Sequence, residues 1–182
     1  MKKRLFSVAL LFFLGCVSYA GNNFRVAAMA SYFQPSERTF KSIYGGGVAF
    51  GGEVSLRLWK WMRIWANGDA YNKQGQTTLT AEKTRINIIP LGLGLMFELG
   101  DSRIRPSAGF GFGYFRYRET NPIGKVEKGE FGYIARLACD IKISGPFFFA
   151  VRSSYSFCKV NPAGVEANLG GLKGGVGLGW EF

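Results

Sequence analysis

The last eight residues of the chain alternate between small or charged side chains and large apolar ones. Side chains that alternate in this way lie on the two faces of a β-strand. An apolar face of this size belongs either inside a soluble barrel or against lipid, where only a closed barrel pairs every backbone group. One face carries Val176, Leu178, Trp180 and Phe182, and the other carries Gly175, Gly177, Gly179 and Glu181.

The same period of two recurs in seven earlier segments, so the sequence predicts eight strands. In the third segment Ile64, Ala66, Gly68 and Ala70 are opposite Trp65, Asn67, Asp69 and Tyr71, and which face points inward stays open. Ile86 and Ile88 are out of phase with the apolar face of the fourth segment, which predicts a β-bulge beside Pro90. The predicted strands cover residues 24–33, 44–58, 64–71, 89–99, 104–114, 131–141, 147–157 and 175–182.

The connections between these strands alternate in length. They are short near residues 60, 101 and 144, and longer near 38, 78, 124 and 163, with polar loops predicted over 72–85, 119–130 and 159–168. An even strand number with short turns at one end and long loops at the other is typical of bacterial outer-membrane barrels.

Large aromatic residues gather near the predicted strand ends, as the two interfacial girdles of a membrane barrel require. The polar faces are rich in glycine and serine, which favours a narrow lumen over the solvated exterior of a lipocalin-like soluble barrel. The aromatic residues are Tyr32, Trp59, Trp61, Tyr114, Phe131, Tyr133, Phe147, Tyr155, Phe157 and Trp180.

Residues 1–20 are predicted to be a secretory signal peptide, because a basic start precedes an apolar run and Ser18-Tyr19-Ala20. The segment Phe13-Leu14-Gly15-Cys16 resembles a lipoprotein box, so lipidation of Cys16 stays open as an alternative. Residues 21–182 then form one domain. Loss of three basic residues lowers the net charge from +11 to +8. A cationic domain without a Lys/Arg-rich run favours an acidic membrane surface over nucleic acid.

The chain offers little for catalysis or cofactor binding. It has no histidine, which excludes a Ser-His-Asp arrangement, so we expect no enzyme and no catalytic residue. Neither a phosphate-binding loop nor a metal-ligand spacing occurs, so we expect no cofactor and no metal. Cys139 and Cys158 are predicted to lie about 26 Å apart along a ladder, too far for a disulfide.

Charged residues recur on the predicted inward faces. An unpaired buried charge costs several kcal/mol, so these groups should pair, stabilise the barrel and plug the lumen. Strand register predicts that Glu98 meets Arg105, and barrel closure predicts that Glu181 meets Arg25. The predicted network comprises Arg25, Glu53, Arg57, Asp69, Glu98, Arg105, Arg136, Asp140, Arg152, Lys173 and Glu181.

The alternation that ends on Phe182 resembles the sorting signal of outer-membrane proteins. Three further pieces strengthen the likeness: Tyr44-Gly45-Gly46-Gly47, Ile89-Pro90-Leu91 and the glycine–aromatic alternation over 109–114. The mature chain as a whole resembles the small OmpA-like or opacity-type outer-membrane proteins. This resemblance implies an all-β, eight-stranded antiparallel up-and-down transmembrane β-barrel in the outer membrane of a Gram-negative bacterium.

The resemblance also implies partners and a choice of roles. The barrel-assembly machinery would recognise the final strand through Val176, Leu178, Trp180 and Phe182. Basic residues in the long loops would meet outer-membrane lipids, including lipopolysaccharide phosphates. The expected role is structural, surface-binding or envelope-supporting, with the lumen plugged. A narrow porin-like channel for small solutes is the alternative, and a secreted lipocalin-like carrier is a third hypothesis.

Overall fold

The computed structural model describes residues 24–76, 83–100, 103–121, 124–160 and 167–182. The predicted signal peptide lies outside these ranges. So do the predicted domain boundary at residue 20 and the alternative lipidation site at Cys16. Within them, no helix has the length and apolar character needed to cross a membrane.

Ten strands and one short helix make up the described chain, and eight of the strands close into a barrel. The strands are β1 (Phe24–Pro35), β2 (Gly47–Trp59), β3 (Met62–Gln76), β4 (Lys83–Glu98), β5 (Ile104–Asn121), β6 (Gly124–Ser144), β7 (Phe147–Phe157), β8 (Lys159–Val160), β9 (Ala167–Asn168) and β10 (Gly171–Glu181), and the helix is α1 (Arg38–Tyr44).

Each barrel strand pairs antiparallel with its neighbours in the order β1-β10-β7-β6-β5-β4-β3-β2, and β8 pairs with β9 outside the barrel sheet. The predicted fold class, an eight-stranded antiparallel up-and-down barrel, is confirmed. Closure joins β1 to β10, with Arg25 opposite Glu181. The backbone N–H of Phe182 donates to the carbonyl of Phe24 over 2.8 Å. The chain termini of the barrel therefore meet at the end that carries the short turns, called here the short-turn end.

At the opposite end, called the long-hairpin end, the strands extend further than predicted. Residues 72–85 and 119–130 were expected to be loops, but β3 continues to Gln76, β4 begins at Lys83, and β5 pairs with β6 up to Asn121 opposite Gly124. Those loop predictions are wrong over most of their length. Backbone pairing between adjacent strands persists where the residues are polar, because it does not require an apolar face.

The second predicted strand began too early. Tyr44 is the last residue of α1, and the strand starts at Gly47. Gly45 ends the helix with φ of 64°, a left-handed conformation that glycine adopts without strain. The helix lies against β1 and β3, so it folds over the long-hairpin end of the barrel.

The predicted β-bulge at Pro90 is also wrong. The β4–β5 register runs unbroken through Pro90, which faces Phe115, and the β3–β4 register is the same on both sides of it. Ile86 and Ile88 are buried, in phase with Pro90, so they are inward-facing residues of one regular strand. The register shifts instead lie at Arg57/Trp59 and Lys142/Ser144, each beside a short turn.

The outer face of the barrel is apolar and exposed. Phe110, Phe112 and Leu137 are each exposed by about 60 %, and all ten aromatic residues expected at the strand ends are exposed. A soluble barrel would bury these side chains, so this surface is a lipid-facing belt with aromatic girdles. Both cysteines are free thiols, which confirms the prediction that they are unpaired.

Candidate functional site: the barrel lumen

Polar and charged side chains face the lumen from all eight barrel strands. The inward face of β3, open in the sequence, is the face of Arg63, Trp65, Asn67, Asp69 and Tyr71. The residues of the expected network divide into three groups along the lumen, which we describe from the short-turn end outward.

Glu98 is at the centre of the first group, near the short-turn end. Its carboxylate lies 3.0 Å from a guanidinium nitrogen of Arg25, 3.7 Å from Arg105 and 3.8 Å from Arg63. Arg57 is more distant, at 4.0 Å, and its side chain is 19 % exposed. Glu98 itself is buried. One carboxylate therefore attracts four cations, and it cannot neutralise them alone.

Two further carboxylates, Glu181 and Asp140, bring the group to three carboxylates against four arginines. Arg25 Nε donates to Glu181 over 2.8 Å, and Arg25 Nη1 donates to Asp140 over 3.1 Å. Arg105 Nη1 donates to both oxygens of Glu181, at 2.9 and 3.0 Å. Arg25 thus contacts three carboxylates, and this pairing offsets part of the cost of burying its charges. Within the described residues, Arg105 Nε and Nη2 have no hydrogen-bond partner.

The second group is centred on Glu53, halfway along the lumen. Both Arg136 and Arg152 donate hydrogen bonds to its carboxylate, and Arg152 also lies 2.6 Å from Asp140. Asp140 therefore joins the first and second groups into one network. The guanidinium carbon of Arg136 lies 4.8 Å from the centre of the Trp65 ring, a cation–π contact.

Asp69 and Lys173 form the third group, an ion pair further towards the long-hairpin end. The side-chain amide of Asn67 also donates to Asp69, over 2.8 Å. The Lys173 side chain is 21 % exposed, so solvent reaches the lumen at this level.

Arg63 is the functional residue that the sequence analysis missed. It is fully buried and its Nε donates to Ser55 Oγ over 3.2 Å. The third predicted strand began at Ile64, one residue too late to include it. The alternation could have identified it, since Arg63 shares the phase of Trp65, Asn67 and Asp69. It was missed because the sequence did not decide which face of this strand points inward.

The lumen nearer the long-hairpin end is apolar, which the sequence analysis did not anticipate. Aromatic and branched side chains from five barrel strands form one buried cluster there. Phe33, Tyr71 and Ile134 lie within predicted strands, Ile86 and Ile88 form the predicted phase slip, and Phe115 and Tyr117 follow the predicted end of the fifth strand. The inward-facing members are Phe33, Tyr71, Ile86, Ile88, Phe115, Tyr117 and Ile134.

The helix α1 closes part of this apolar region. Phe40 and Tyr44 are buried against the cluster. The Tyr44 hydroxyl donates to Glu119 over 2.9 Å and lies 3.0 Å from Thr84 Oγ1. Burial raises the pKa of Tyr44 above its usual range, so its phenol keeps the proton that it donates. Polar bonds at the rim therefore hold the helix over an apolar interior.

A cavity of about 60 Å³ lies between the apolar cluster and the Glu53 group. We call it the lumen cavity. Its walls include Phe33, Tyr71, Ile88, Phe115 and Ile134, and its charged lining residues are Glu53, Asp69, Arg136, Arg152 and Lys173. Within the described residues, no cluster of histidine, cysteine, aspartate or glutamate is arranged to hold a metal ion.

Trp65 fills the lumen beside this cavity, and two glycines leave the space for it. A Cβ atom on Gly94 would lie 2.8 Å from the indole, and one on Gly92 would lie 3.0 Å from it. Such distances are shorter than ordinary van der Waals contacts. The inward glycines of β4 are therefore required by the size of the side chain opposite them.

A basic patch lies on the outer wall, just beyond the aromatic girdle of β5 and β6. Tyr114 and Phe131 pack with ring centres 5.2 Å apart, and Arg116 and Arg118 follow Tyr114 on the same exposed face. Both arginines donate to Glu127, and these hydrogen bonds lower the pKa of Glu127 to about 2. Two guanidinium groups thus share one carboxylate at the edge of the lipid-facing belt.

Neither a family model nor a curated protein sequence matches this chain. Solved structures do match. The outer membrane protein OprG from Pseudomonas aeruginosa has a TM-score of 0.70 at 13 % identity, over 90 % of this chain and 97 % of that one. Neisserial surface protein A has a TM-score of 0.65 at 12 % identity, over 87 % and 97 %.

A third match is Ail, the attachment invasion locus protein of Yersinia pestis, in complex with the heparin analogue sucrose octasulfate. Its TM-score is 0.54 at 9 % identity, over 88 % of this chain and 97 % of that one. Structural similarity at these sequence identities establishes the fold. The exposed apolar belt indicates that lipid surrounds the barrel. The chain is therefore an eight-stranded β-barrel of the bacterial outer membrane, with the fold that these three proteins share.

Proposed function

We propose that this protein is a non-conducting and non-enzymatic barrel that supports the cell envelope and binds anionic ligands at the cell surface. The observation that carries the proposal is the continuous ion-pair network from Glu98 to Glu53. In outer-membrane barrels the short turns face the periplasm, so this network crosses the periplasmic half of the lumen. Closely paired guanidinium and carboxylate groups leave little room for a hydrated ion to pass.

The same network argues against catalysis. A general acid or base must be free to exchange a proton near neutral pH. The lumen carboxylates instead accept hydrogen bonds or ion pairs from arginine or lysine, and the sequence contains no histidine. We infer a structural task for these charges.

Conductance separates the plugged barrel from the channel alternative. The purified protein is reconstituted into a planar bilayer. The ionic current is recorded at fixed voltage in about 1 M salt. We expect no stable open level from the unmodified protein. A large and stable conductance would overturn the proposal and favour a narrow channel for small solutes.

The basic patch on the outer wall supports the surface-binding part of the proposal. Arg116 and Arg118 stand beyond the girdle residues Tyr114 and Phe131, at the level where outer-leaflet phosphates lie. Guanidinium groups bind phosphate through paired hydrogen bonds. The related fold of Ail was solved with a polyanionic heparin analogue. We infer that lipopolysaccharide phosphates bind this patch.

Lipid binding tests that inference. The double variant Arg116→Gln/Arg118→Gln should retain less co-purifying lipopolysaccharide than the unmodified barrel. The matched control is Arg103→Gln/Lys142→Gln, which removes two exposed cations at the short-turn end. Equal loss from both double variants would mean that net charge, and not the patch, retains the lipid.

Assembly through the last strand completes the proposal. The exposed side chains of Val176, Leu178, Trp180 and Phe182 form a continuous apolar row on β10 and its end. Such a row suits recognition by the barrel-assembly machinery before β10 pairs with β1. Phe182 additionally packs near Phe24, with ring centres 6.0 Å apart.

A further inference from the structure

The lumen cavity combines apolar walls with an uneven set of charges. Its charged lining consists of three cations, Arg136, Arg152 and Lys173, and two carboxylates, Glu53 and Asp69. The lining therefore has one more cation than it has carboxylates, and the nearby Asp140, which is not part of the lining, also pairs with Arg152. In a lumen with little water, charges interact more strongly than in bulk solvent, so this excess favours an anion with a single negative charge.

Two of the three buried side-chain atoms without a partner among the described residues that line the cavity point to the same conclusion, and the third, Asn67 Oδ1, is an acceptor. Within the described part of the chain, Arg136 Nε and Trp65 Nε1 have no hydrogen-bond partner. Both side chains line the cavity and are more than nine-tenths buried, with exposures of 6 % and 1 %. Both atoms are donors, and buried donors are normally satisfied. An acceptor group in the cavity would satisfy them.

The size of the cavity limits the ligand. Its volume of about 60 Å³ is several times the ~10–15 Å³ that one water molecule needs, and less than half of the ~150 Å³ cavity that binds benzene. The occupant is therefore larger than one water molecule and smaller than an aromatic ring. The apolar wall formed by Ile88, Phe115 and Ile134 favours a short hydrocarbon tail.

We propose that the lumen cavity binds a short-chain monocarboxylate, with its carboxylate towards Arg136 and Lys173 and its tail towards Ile88 and Ile134. The ligand enters from the cell exterior, because solvent reaches Lys173 while the ion-pair network closes the periplasmic half. The barrel then acts as a blind-ended binding pocket. This site is separate from the basic patch on the outer wall, so it does not depend on lipopolysaccharide binding.

Methyl NMR on the intact barrel in detergent micelles tests the site, with sodium propionate as the probe and sodium chloride used to hold ionic strength constant. We expect saturable shifts of the Met29, Ile88 and Ile134 methyl signals. The methyls of Ile89 and Ile104 face lipid and should not respond. Propionamide has the same shape without the charge, and it should bind at least about tenfold more weakly.

Two variants keep the test decisive. Lys173→Met removes the excess charge and should weaken propionate binding at least about fivefold without changing propionamide binding, and Lys173→Arg should restore it. Ser154→Leu fills the cavity from β7 and should abolish the saturable shifts for both ligands. This second variant decides the matter if Lys173→Met does not fold.

Three results would overturn the proposal. Absence of a saturable shift at the internal methyls would mean that the cavity holds water only. Equal binding of propionate and propionamide would remove the role of charge. Persistence of the shifts in Ser154→Leu would locate binding elsewhere on the barrel.

Discussion

Replacement of Glu53 by alanine tests whether the lumen network stabilises the barrel. Glu53 is buried, and it accepts hydrogen bonds from both Arg136 and Arg152. Removal of one partner from a buried ion pair costs about 3–5 kcal/mol, because the other charge remains unpaired. Arg152 keeps Asp140 at 2.6 Å, so only Arg136 loses its main partner. We therefore expect a loss near the lower limit, about 3 kcal/mol.

Urea unfolding of the barrel in lipid vesicles measures this loss. Folded and unfolded forms are separated by electrophoresis without heating, because closed barrels resist SDS until they are heated. With an m-value of about 1–3 kcal/mol/M, the midpoint should fall by about 1–3 M. Glu130→Ala is the matched control, since Glu130 is an exposed residue of β6 outside the lumen network, and its effect should stay within about 0.5 kcal/mol.

A double-variant cycle separates the ion pair from general damage. If Arg136 is destabilising because it is left unpaired, the change Glu53→Ala/Arg136→Ala should cost about 1–3 kcal/mol less than the sum of the single changes. Additive costs would refute the reasoning, since they would mean that the two side chains stabilise the barrel independently. A decrease in unfolding free energy of less than about 1 kcal/mol for Glu53→Ala would also refute it, because an unpaired buried charge destabilises a protein by more than that.

Three further predictions concern the wall, the outer rim and the chain end. Leu137→Arg places a charge on the lipid-facing belt and should cost about 2–4 kcal/mol in the same unfolding assay, whereas a soluble barrel would tolerate it. The Glu127 carboxyl should titrate near pH 2 by NMR, and Arg116→Gln should raise its pKa. Because folding lowers this pKa, the contribution of Glu127 to stability is present above about pH 4.5 and is lost as the pH falls towards 2. Phe182→Ser should reduce the fraction of heat-modifiable barrel assembled in cells, and unchanged assembly would remove Phe182 from the proposed recognition row.

The inward and outward faces of the barrel strands were predictable because side chains along a β-strand always alternate with a period of two. Alternation assigned the outward faces of all barrel strands except β3, and the chain positions of the short turns followed from it. The short strands β8 and β9 lie in a segment predicted to be a loop. The same logic placed Arg25 beside Glu181, since antiparallel pairing across the closure fixes which residues are opposite. These inferences depend on backbone geometry alone, which every residue shares.

The extent of the strands was not predictable from apolar alternation. Beyond the lipid-facing belt, the outward residues of β5 become Arg116 and Arg118, and the pattern loses its apolar signal while the hydrogen-bonded ladder continues. The helix α1 was missed for a related reason. Its seven residues are too few to show a helical period clearly, and it is stabilised by the packing of Phe40 and Tyr44 on residues distant in sequence.

The apparent phase slip at Ile86 and Ile88 contained the information that the sequence analysis lacked. Apolar residues on the inward face were interpreted as a change of phase, because the lumen was assumed to be polar throughout. A continuous register implies the opposite, namely that the lumen changes character along its length. Charges close the periplasmic half, apolar side chains line the outer half, and the cavity lies at their boundary. Side chains nearly fill the interior of an eight-stranded barrel, so the cavity where the ion pairs meet the apolar cluster is the space that a small ligand can occupy.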